Sequence, residues 1–196
     1  MVNESNPWKT VGSKEIYQNP WIRVREDSVI RPDGKPGIYG VVEARAATGV
    51  VAITPDLQVY LVGQYRYPVN VYSWEIVEGG ADPGEAPLVA IQRELHEEAG
   101  LTASEWSPLG APVYLSNCFS SEVAYLYLAR GLTEQTSSPE GTEVLAVRTL
   151  PLSECFRMNE EGQFTDAMTV LAFYRLQEMI RRGAIAGINP KEANGY

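Results

Sequence analysis

Residues 79–101 read GGADPGEAPLVAIQRELHEEAGL, and the rest of the chain is best parsed outward from them. From Glu85 to Ala99 the periodicity is helical: Leu88, Ile91, Leu95 and Ala99 fall on one arc at a 3.6-residue repeat, and Gly100 stands where a left-handed residue ends a helix. At about 100° per residue, Glu98 lies about 40° from Glu94 on the helix circumference, and Glu97 about 60° the other way. Three carboxylates therefore share one face, where each like-charged pair costs a few tenths of a kcal/mol in an isolated helix. Hard divalent cations relieve such crowding. Carboxylate oxygens suit Mg²⁺ and Mn²⁺, and Mg²⁺ commonly completes its shell with substrate phosphate oxygens. Arg93, four residues before Glu97, can brace one carboxylate while the others hold metal. Gly79 and Gly80 let the backbone pass close to the helix, so a main-chain carbonyl can join the ligand set. On the carboxylates alone, a solvated acidic helix face is an equal reading.

On the N-terminal side the pattern is of strands and turns. Residues 15–17 form a strand stopped at Gln18-Asn19-Pro20, and residues 21–24 alternate as a half-buried strand does. Arg31-Pro32-Asp33-Gly34 is a hairpin-type turn, with residues 37–44 returning. A buried strand at 49–54 closes at Pro55-Asp56, with 58–65 as its expected partner, and 74–77 adds a short strand. Beyond the helix, strands are expected at 112–115, 123–128 and 144–150. A second helix starts at Thr165 or Asp166 and runs to Arg182, with Met168, Leu171, Leu176 and Ile180 buried; the tail after Gly183 reads as loosely ordered. The order predicts an α/β (α+β) fold with an N-terminal strand subdomain over 1–45, a main domain over 46–185 and a tail over 186–196.

Composition narrows the function. The 196 residues are 44% hydrophobic and 21% charged, within the globular range. Sixteen Lys and Arg against 25 Asp and Glu leave a net charge of −9, which repels nucleic-acid backbones and anionic membranes. The densest basic spot, Arg181-Arg182, ends a helix, where cations are favoured anyway. No apolar run is long enough to span a bilayer, no secretory signal opens the chain, and Cys118 and Cys155 make neither a disulfide framework nor a metal motif, so a cytoplasmic location is expected. Cys118 has no histidine partner for nucleophilic catalysis, and His96 reads as a solvent-facing or packing residue.

The stretch Gly79-x5-Glu85-x7-Arg93-Glu94-Leu95-x-Glu97-Glu98-x-Gly100-Leu101 resembles the Nudix box at every specified position. The chance of such a match anywhere in the chain is on the order of 10⁻⁷ at ordinary residue usage. The resemblance implies a Nudix-type α/β/α sandwich with a mixed sheet, and metal-dependent hydrolysis of a nucleoside diphosphate linked to another moiety. It implies Glu94 and Glu98 as principal metal ligands, Glu97 as a third, and the Glu78 carbonyl as a further one. Glu85 and Arg93 would buttress the loop and helix. Bound Mg²⁺ or Mn²⁺ would neutralise the pyrophosphate and activate a water.

Gln64-Tyr65-Arg66-Tyr67-Pro68 and Trp74-Glu75-Ile76 resemble the ADP-ribose and ADP-sugar pyrophosphatase branch. That likeness implies Arg66 on a substrate phosphate, with a surface or ion-paired Arg66 as the alternative. It implies a homodimer with exchanged N-terminal strands, in which Trp21 and Tyr39 sandwich the base; packing of the N-terminal strands is the equal alternative. Arg45 is a weaker candidate for phosphates or ribose. A general base is implied in the loop before residues 144–152, with Glu143 the better fit and Glu140 the alternative. Departures from the branch lie at Ser116-Asn117-Cys118-Phe119-Ser120-Ser121-Glu122, where Glu122 is retained but a Pro-Gly is missing, at Val77 and Glu78, which stand for the common Pro and Ala, and at Gly40. They widen the expected substrates from ADP-ribose to GDP-mannose and other nucleoside diphosphate sugars. Other Nudix substrates (nucleoside triphosphates, dinucleoside polyphosphates, coenzymes) and a non-catalytic nucleotide-sugar sensor are the competing readings.

Overall fold

The computed structural model describes residues 4–135 and 145–193, arranged as two compact units. The first unit comprises the chain up to Arg45 together with Tyr114–Val123. Its three strands, β1 (Lys9–Gln18), β2 (Ile22–Ile30) and β3 (Pro36–Ala44), form an antiparallel sheet in that order. The β2–β3 turn is the expected one, closed by the Gly34 N–H donating to the Arg31 carbonyl at 2.8 Å. Charges hold the register: Arg23 pairs with Glu15 and Glu43, at 3.0 Å each, and Arg25 with Glu43 and Asp27. The outer edge of β3 is covered by the inserted segment. The Val42 N–H donates to the Phe119 carbonyl at 2.8 Å, the Ser121 N–H to the Val42 carbonyl at 2.9 Å, and the Tyr39 hydroxyl to the Cys118 carbonyl at 2.6 Å. Every residue of β1 is exposed, including Val11, Ile16 and Tyr17.

The second unit, Ala46–Val113 with the chain from Ala124 onward, holds the core. Its elements are β4 (Ala47–Ala52), β5 (Gln58–Arg66), β6 (Val71–Glu75), β7 (Val77–Gly80), α1 (Pro87–Ala99), β8 (Leu101–Pro108), β9 (Val113–Tyr114), which ends at the boundary, β10 (Val123–Glu134), β11 (Ala146–Pro151), α2 (Leu152–Glu160), α3 (Ala167–Arg181) and α4 (Pro190–Ala193). One sheet runs β7-β4-β10-β8, with β4 and β10 parallel and the other pairs antiparallel; a second runs β11-β5-β6, antiparallel throughout. β4 is buried on both faces, as a strand beside a parallel neighbour and covered on both sides is. Val50 and Ala52 join a cluster with Ile91 and Leu95 of α1. Gly49, on the opposite face, has Met168 of α3 close by. The two helices therefore lie on opposite faces of one sheet, which is the α/β/α sandwich. Fully burying side chains such as Ile91 and Leu95 stabilises by about 1.5–3 kcal/mol each.

Three expectations need correction. Strand 58–65 is not the ladder partner of 49–54. The chain leaves β4 through Leu57, at φ 61°, and only an Ile53–Val59 bridge joins the two, because β4 is already flanked by β7 and β10. The expected strand 74–77 is two strands in two sheets, broken at Ile76. The stretch after Gly183 is packed: Ile185, Ile188 and Ala193 are buried, and Arg130 donates to the Ala186 carbonyl at 2.7 Å. β8, α2 and α4 are additions to the expected elements. α3 starts where Asp166 caps it, its carboxylate accepting the Thr169 N–H at 2.7 Å.

Candidate active site

The geometry of α1 follows from what its sequence allows at both ends. Pro87 begins it, where a missing N–H costs nothing, and Gly100 ends it at φ 64°. Leu95 and Ile91 anchor the apolar face, Glu94 lies toward Gly79 of β7, Glu97 is held by Arg93, and Glu98 is only 5% exposed. Gly79 is the residue against which Glu94 lies. A Cβ there would overlap Cγ, Cδ and Oε1 of Glu94, so the glycine leaves a cradle that the carboxylate fills. The Gly79 carbonyl is fixed in turn by the Thr48 hydroxyl at 3.0 Å.

Arg93 ties the site together. Its Nε and Nη2 donate to Glu85 at 3.2 and 3.1 Å, Nη2 also to the Gly80 carbonyl at 3.1 Å, and Nη1 to Glu94 at 2.8 Å and Glu97 at 2.9 Å. Glu85 accepts the Asp82 N–H as well, at 2.8 Å. Arg93 and that amide hold the Glu85 carboxyl below its ordinary value of 4.5. Its stabilising share is thus complete above that value and lost as pH falls through the lower folded value. Arg93→Ala should cost about 2 kcal/mol near neutral pH. The gap between variant and parent should narrow in urea melts as pH is taken below 4.5 and the Glu85 carboxyl takes up its proton; a gap that stays constant with pH would show that the pairing contributes nothing.

The structure places Arg66 in an ion pair. Its Nε donates to both oxygens of Glu75, at 3.1 and 2.9 Å, and Nη2 makes a shorter bond to Glu75, which is 1% exposed. Glu78 Oε2 stands 3.6 Å from Arg66 Nη2, and its Oε1 accepts the Thr169 hydroxyl at 3.1 Å. Burial, and then the neighbouring Asp166, push the Glu78 carboxyl well above the usual range. A recess of about 270 Å³ opens beside Arg66, lined also by Val71, Ser73, Thr165 and Asp166. Glu75, Asp166 and Thr169 were not singled out as site residues from sequence. The cap motif at Asp166 was legible, but no local pattern reveals a contact 91 residues away.

In the first unit, Trp21 is 68% exposed and Tyr39 packs edge-on against Trp8 at 5.3 Å. Trp21 flanks Ile22, which pairs with Ala44, whereas Tyr39 pairs with Asp27. Six residues of strand, about 20 Å, separate the two positions, so they do not face each other within one chain. Arg45 donates to the Pro20 carbonyl at 2.9 Å, and half-buried Glu122 has its N–H on the Ser120 hydroxyl at 3.1 Å. Glu140 and Glu143 lie outside the described residues. Cys118 is exposed; Cys155 is buried, which pushes its thiol up to about 12.

Among the described residues, no three His, Cys, Asp or Glu side chains converge as a ready ligand set; Arg93 is bonded to Glu94 and Glu97. The donors on this face are all carboxylates with main-chain carbonyls beside them, chemistry that fits a hard divalent ion and not a soft one. No described helix is long and apolar enough to cross a membrane.

Residues 8–42 match the nucleoside diphosphate sugar hydrolase N-terminal domain, and residues 43–170 match the NUDIX domain. A methanol dehydrogenase activator from Bacillus methanolicus is 30% identical over 177 residues, covering 88% of this chain and 95% of that one. An ADP-ribose pyrophosphatase from Bacillus subtilis is 29% identical over 171 residues, covering 86% and 92%. The crystal structure of an ADP compounds hydrolase superposes with a TM-score of 0.80 over 93% of this chain and 98% of its own, at 20% identity, and so shares the fold. With a complete Gly79–Leu101 box on a helix packed in an α/β/α sandwich, and a domain match across most of its length, the chain belongs to the Nudix family of hydrolases.

Proposed function

We propose that this hydrolase cleaves the pyrophosphate bond of nucleoside diphosphate sugars, with ADP-ribose going to AMP and ribose 5-phosphate as the main reaction, and with GDP-mannose and other nucleoside diphosphate sugars also accepted. The observation that carries the reading is the Gly79 cradle filled by Glu94, with Arg93 gathering Glu85, Glu94 and Glu97 on one side of α1. The N-terminal domain match and the pyrophosphatase relative support the substrate class.

In this reading Glu94, Glu97, Glu98 and the Glu78 carbonyl hold Mg²⁺ or Mn²⁺. When bound there, the ions neutralise the diphosphate and lower the pKa of an attacking water. Glu85 and Arg93 keep the carboxylates in register. Arg66, already tied to Glu75, presents its remaining donor edge to a phosphate at the recess, a pairing that suits a guanidinium. Glu143, or Glu140 in its place, takes the proton of the water. Arg45 and Glu122 belong to the substrate-binding set.

The exposed first unit supports a homodimer with exchanged N-terminal strands. Val11, Ile16, Tyr17 and Ile38 are uncovered within one chain, and Trp21 and Tyr39 can flank one base only if they come from different copies. Two stacked faces would contribute about 1–3 kcal/mol per base. The enzyme works in the cytoplasm, where Cys118 and Cys155 stay reduced. A screen of nucleoside diphosphate sugars with Mg²⁺ and with Mn²⁺, products resolved by chromatography, should give AMP and ribose 5-phosphate from ADP-ribose at the highest kcat/KM. Turnover confined to nucleoside triphosphates or dinucleoside polyphosphates, or no turnover at all, would overturn the reading.

A further inference from the structure

The segment 71–80 serves two sheets. Glu75, the last residue of β6, pairs with Val62, and Val77, the first of β7, pairs with Val50. Ile76 lies between the strands, in neither of them, and it is buried. Its N–H would be an orphan, costly at such a place, but it donates to the hydroxyl of Thr169 at 3.1 Å. The same hydroxyl donates to Glu78 Oε1 at 3.1 Å. The Ile76 N–H can only give a proton, so the Thr169 oxygen accepts there and turns its own O–H toward Glu78 Oε1, and one oxygen bridges both groups.

We propose that Thr169 is a positioning residue for hydrolysis: its hydroxyl locks the point where the chain passes from one sheet to the other, and so sets Glu78 and the Gly79 cradle against the carboxylates of α1. This rests on the reading above in taking residues 78–98 as the place where the diphosphate reacts. Thr169 is suited to the task. It is fully buried, its own N–H is fixed by the Asp166 cap at 2.7 Å, and its branched Cβ limits rotation about χ1. It stands at the third helical position of α3, from which a capping side chain would turn back to its own helix. Here it reaches across to the strands instead. Glu78 is one residue from Gly79, so a shift at the bridge passes directly to the backbone on which Glu94 lies. Through Glu78 the bridge also borders Arg66, whose Nη2 is 3.6 Å from that carboxylate.

The test compares Thr169→Val, which keeps the shape and removes the hydroxyl, with Thr169→Ser, which keeps the hydroxyl. Thr169→Val should lower kcat about tenfold or more, since small misplacements at a reacting centre are this costly, with KM changing less than about threefold. Thr169→Ser should stay within about threefold of the parent in kcat. Hydrogen–deuterium exchange gives a readout independent of substrate: the Ile76 amide should exchange about tenfold faster or more in Thr169→Val and be protected in Thr169→Ser. Mn²⁺ binding, followed by electron paramagnetic resonance, should weaken about tenfold in Thr169→Val. Should that variant not fold, Thr169→Cys, whose thiol is only a weak hydrogen-bonding group, carries the same comparison. The proposal is overturned if Val and Ser lose activity equally, if kcat survives in a folded hydroxyl-free variant, or if Ile76 exchange is unchanged. If the parent hydrolyses no nucleotide sugar, the substrate reading falls by itself, and the exchange and Mn²⁺ measurements still decide the role of Thr169.

Discussion

Glu98→Gln should abolish most Mg²⁺-dependent hydrolysis of ADP-ribose, lowering kcat by more than about a hundredfold, the upper end of what loss of a ligand's outer-sphere partner costs. The fold should remain. Glu98 is buried on the inner side of α1 beside Leu95, and glutamine occupies the same space without a charge that is costly to remove from water. The two proteins should therefore melt at similar temperatures without metal. Added Mn²⁺ should raise the midpoint of the parent alone, because only a folded state that binds the ion gains from mass action. An activity loss of less than about twofold would remove Glu98 from the ligand set. Equal metal-induced shifts in both proteins would do the same by a route that needs no substrate.

Gly79→Ala should also lower activity, by about tenfold or more in kcat, for a purely steric reason. The backbone at Gly79 is not in the left-handed region, so alanine meets no conformational penalty there. Its methyl group would occupy the space of the Glu94 side chain, which must swing away and give up its bond to Arg93. Gly84→Ala makes the contrast. Gly84 sits at φ 84° with nothing within 4 Å of an added Cβ, so that variant should lose about 1–2 kcal/mol of stability and keep its activity. Kinetics and urea melts on both variants, with Gly79→Ala also placed on a Glu94→Ala background, separate the cases. If the cradle matters only through Glu94, the double variant should be no worse than Glu94→Ala alone. Additive losses would show that Gly79 acts in some other way.

Much of this site is legible in the sequence alone. The spacing of Glu85, Arg93, Glu94, Glu97 and Glu98 is a local property of one helix and the loop before it. In the structure Arg93 contacts three of those four glutamates. The start of α3 at Asp166 and the end of α1 at Gly100 were likewise local, since caps depend on a few neighbouring residues. Strand pairing was not. Residues 49–54 and 58–65 are joined by a short turn, which favours a hairpin, yet β4 takes a parallel partner from residues 124–129. Period-two patterning says which face of a strand is apolar but never which strand lies beside it. The same blindness hid the break at Ile76, because an apolar residue between two short strands looks like the middle of one.

Arg66 shows where residue type and environment part company. Its guanidinium suits phosphate in any sequence. Only folding brings Glu75 and Glu78 to it, since they come from adjoining strands of different sheets. Trp21 and Tyr39 are a similar case, because the register of β2 and β3 sets them about 20 Å apart in one chain.

What the sequence determined by itself is the helical carboxylate cluster, its bracing arginine and the glycines that let backbone approach it, because helical geometry converts spacing directly into position. What only the tertiary structure decided is the company those groups keep: Glu94 in the Gly79 cradle, Glu75 on Arg66, and the Thr169 hydroxyl between Ile76 and Glu78. The Thr169 contacts span 93 and 91 residues, whereas Arg66 and Glu75 meet across the β5–β6 hairpin, nine residues apart. Glu94 meets Gly79, and Thr169 meets Ile76 and Glu78, because burying the faces of β4 against α1 and α3 brings the ends of separate elements to one place.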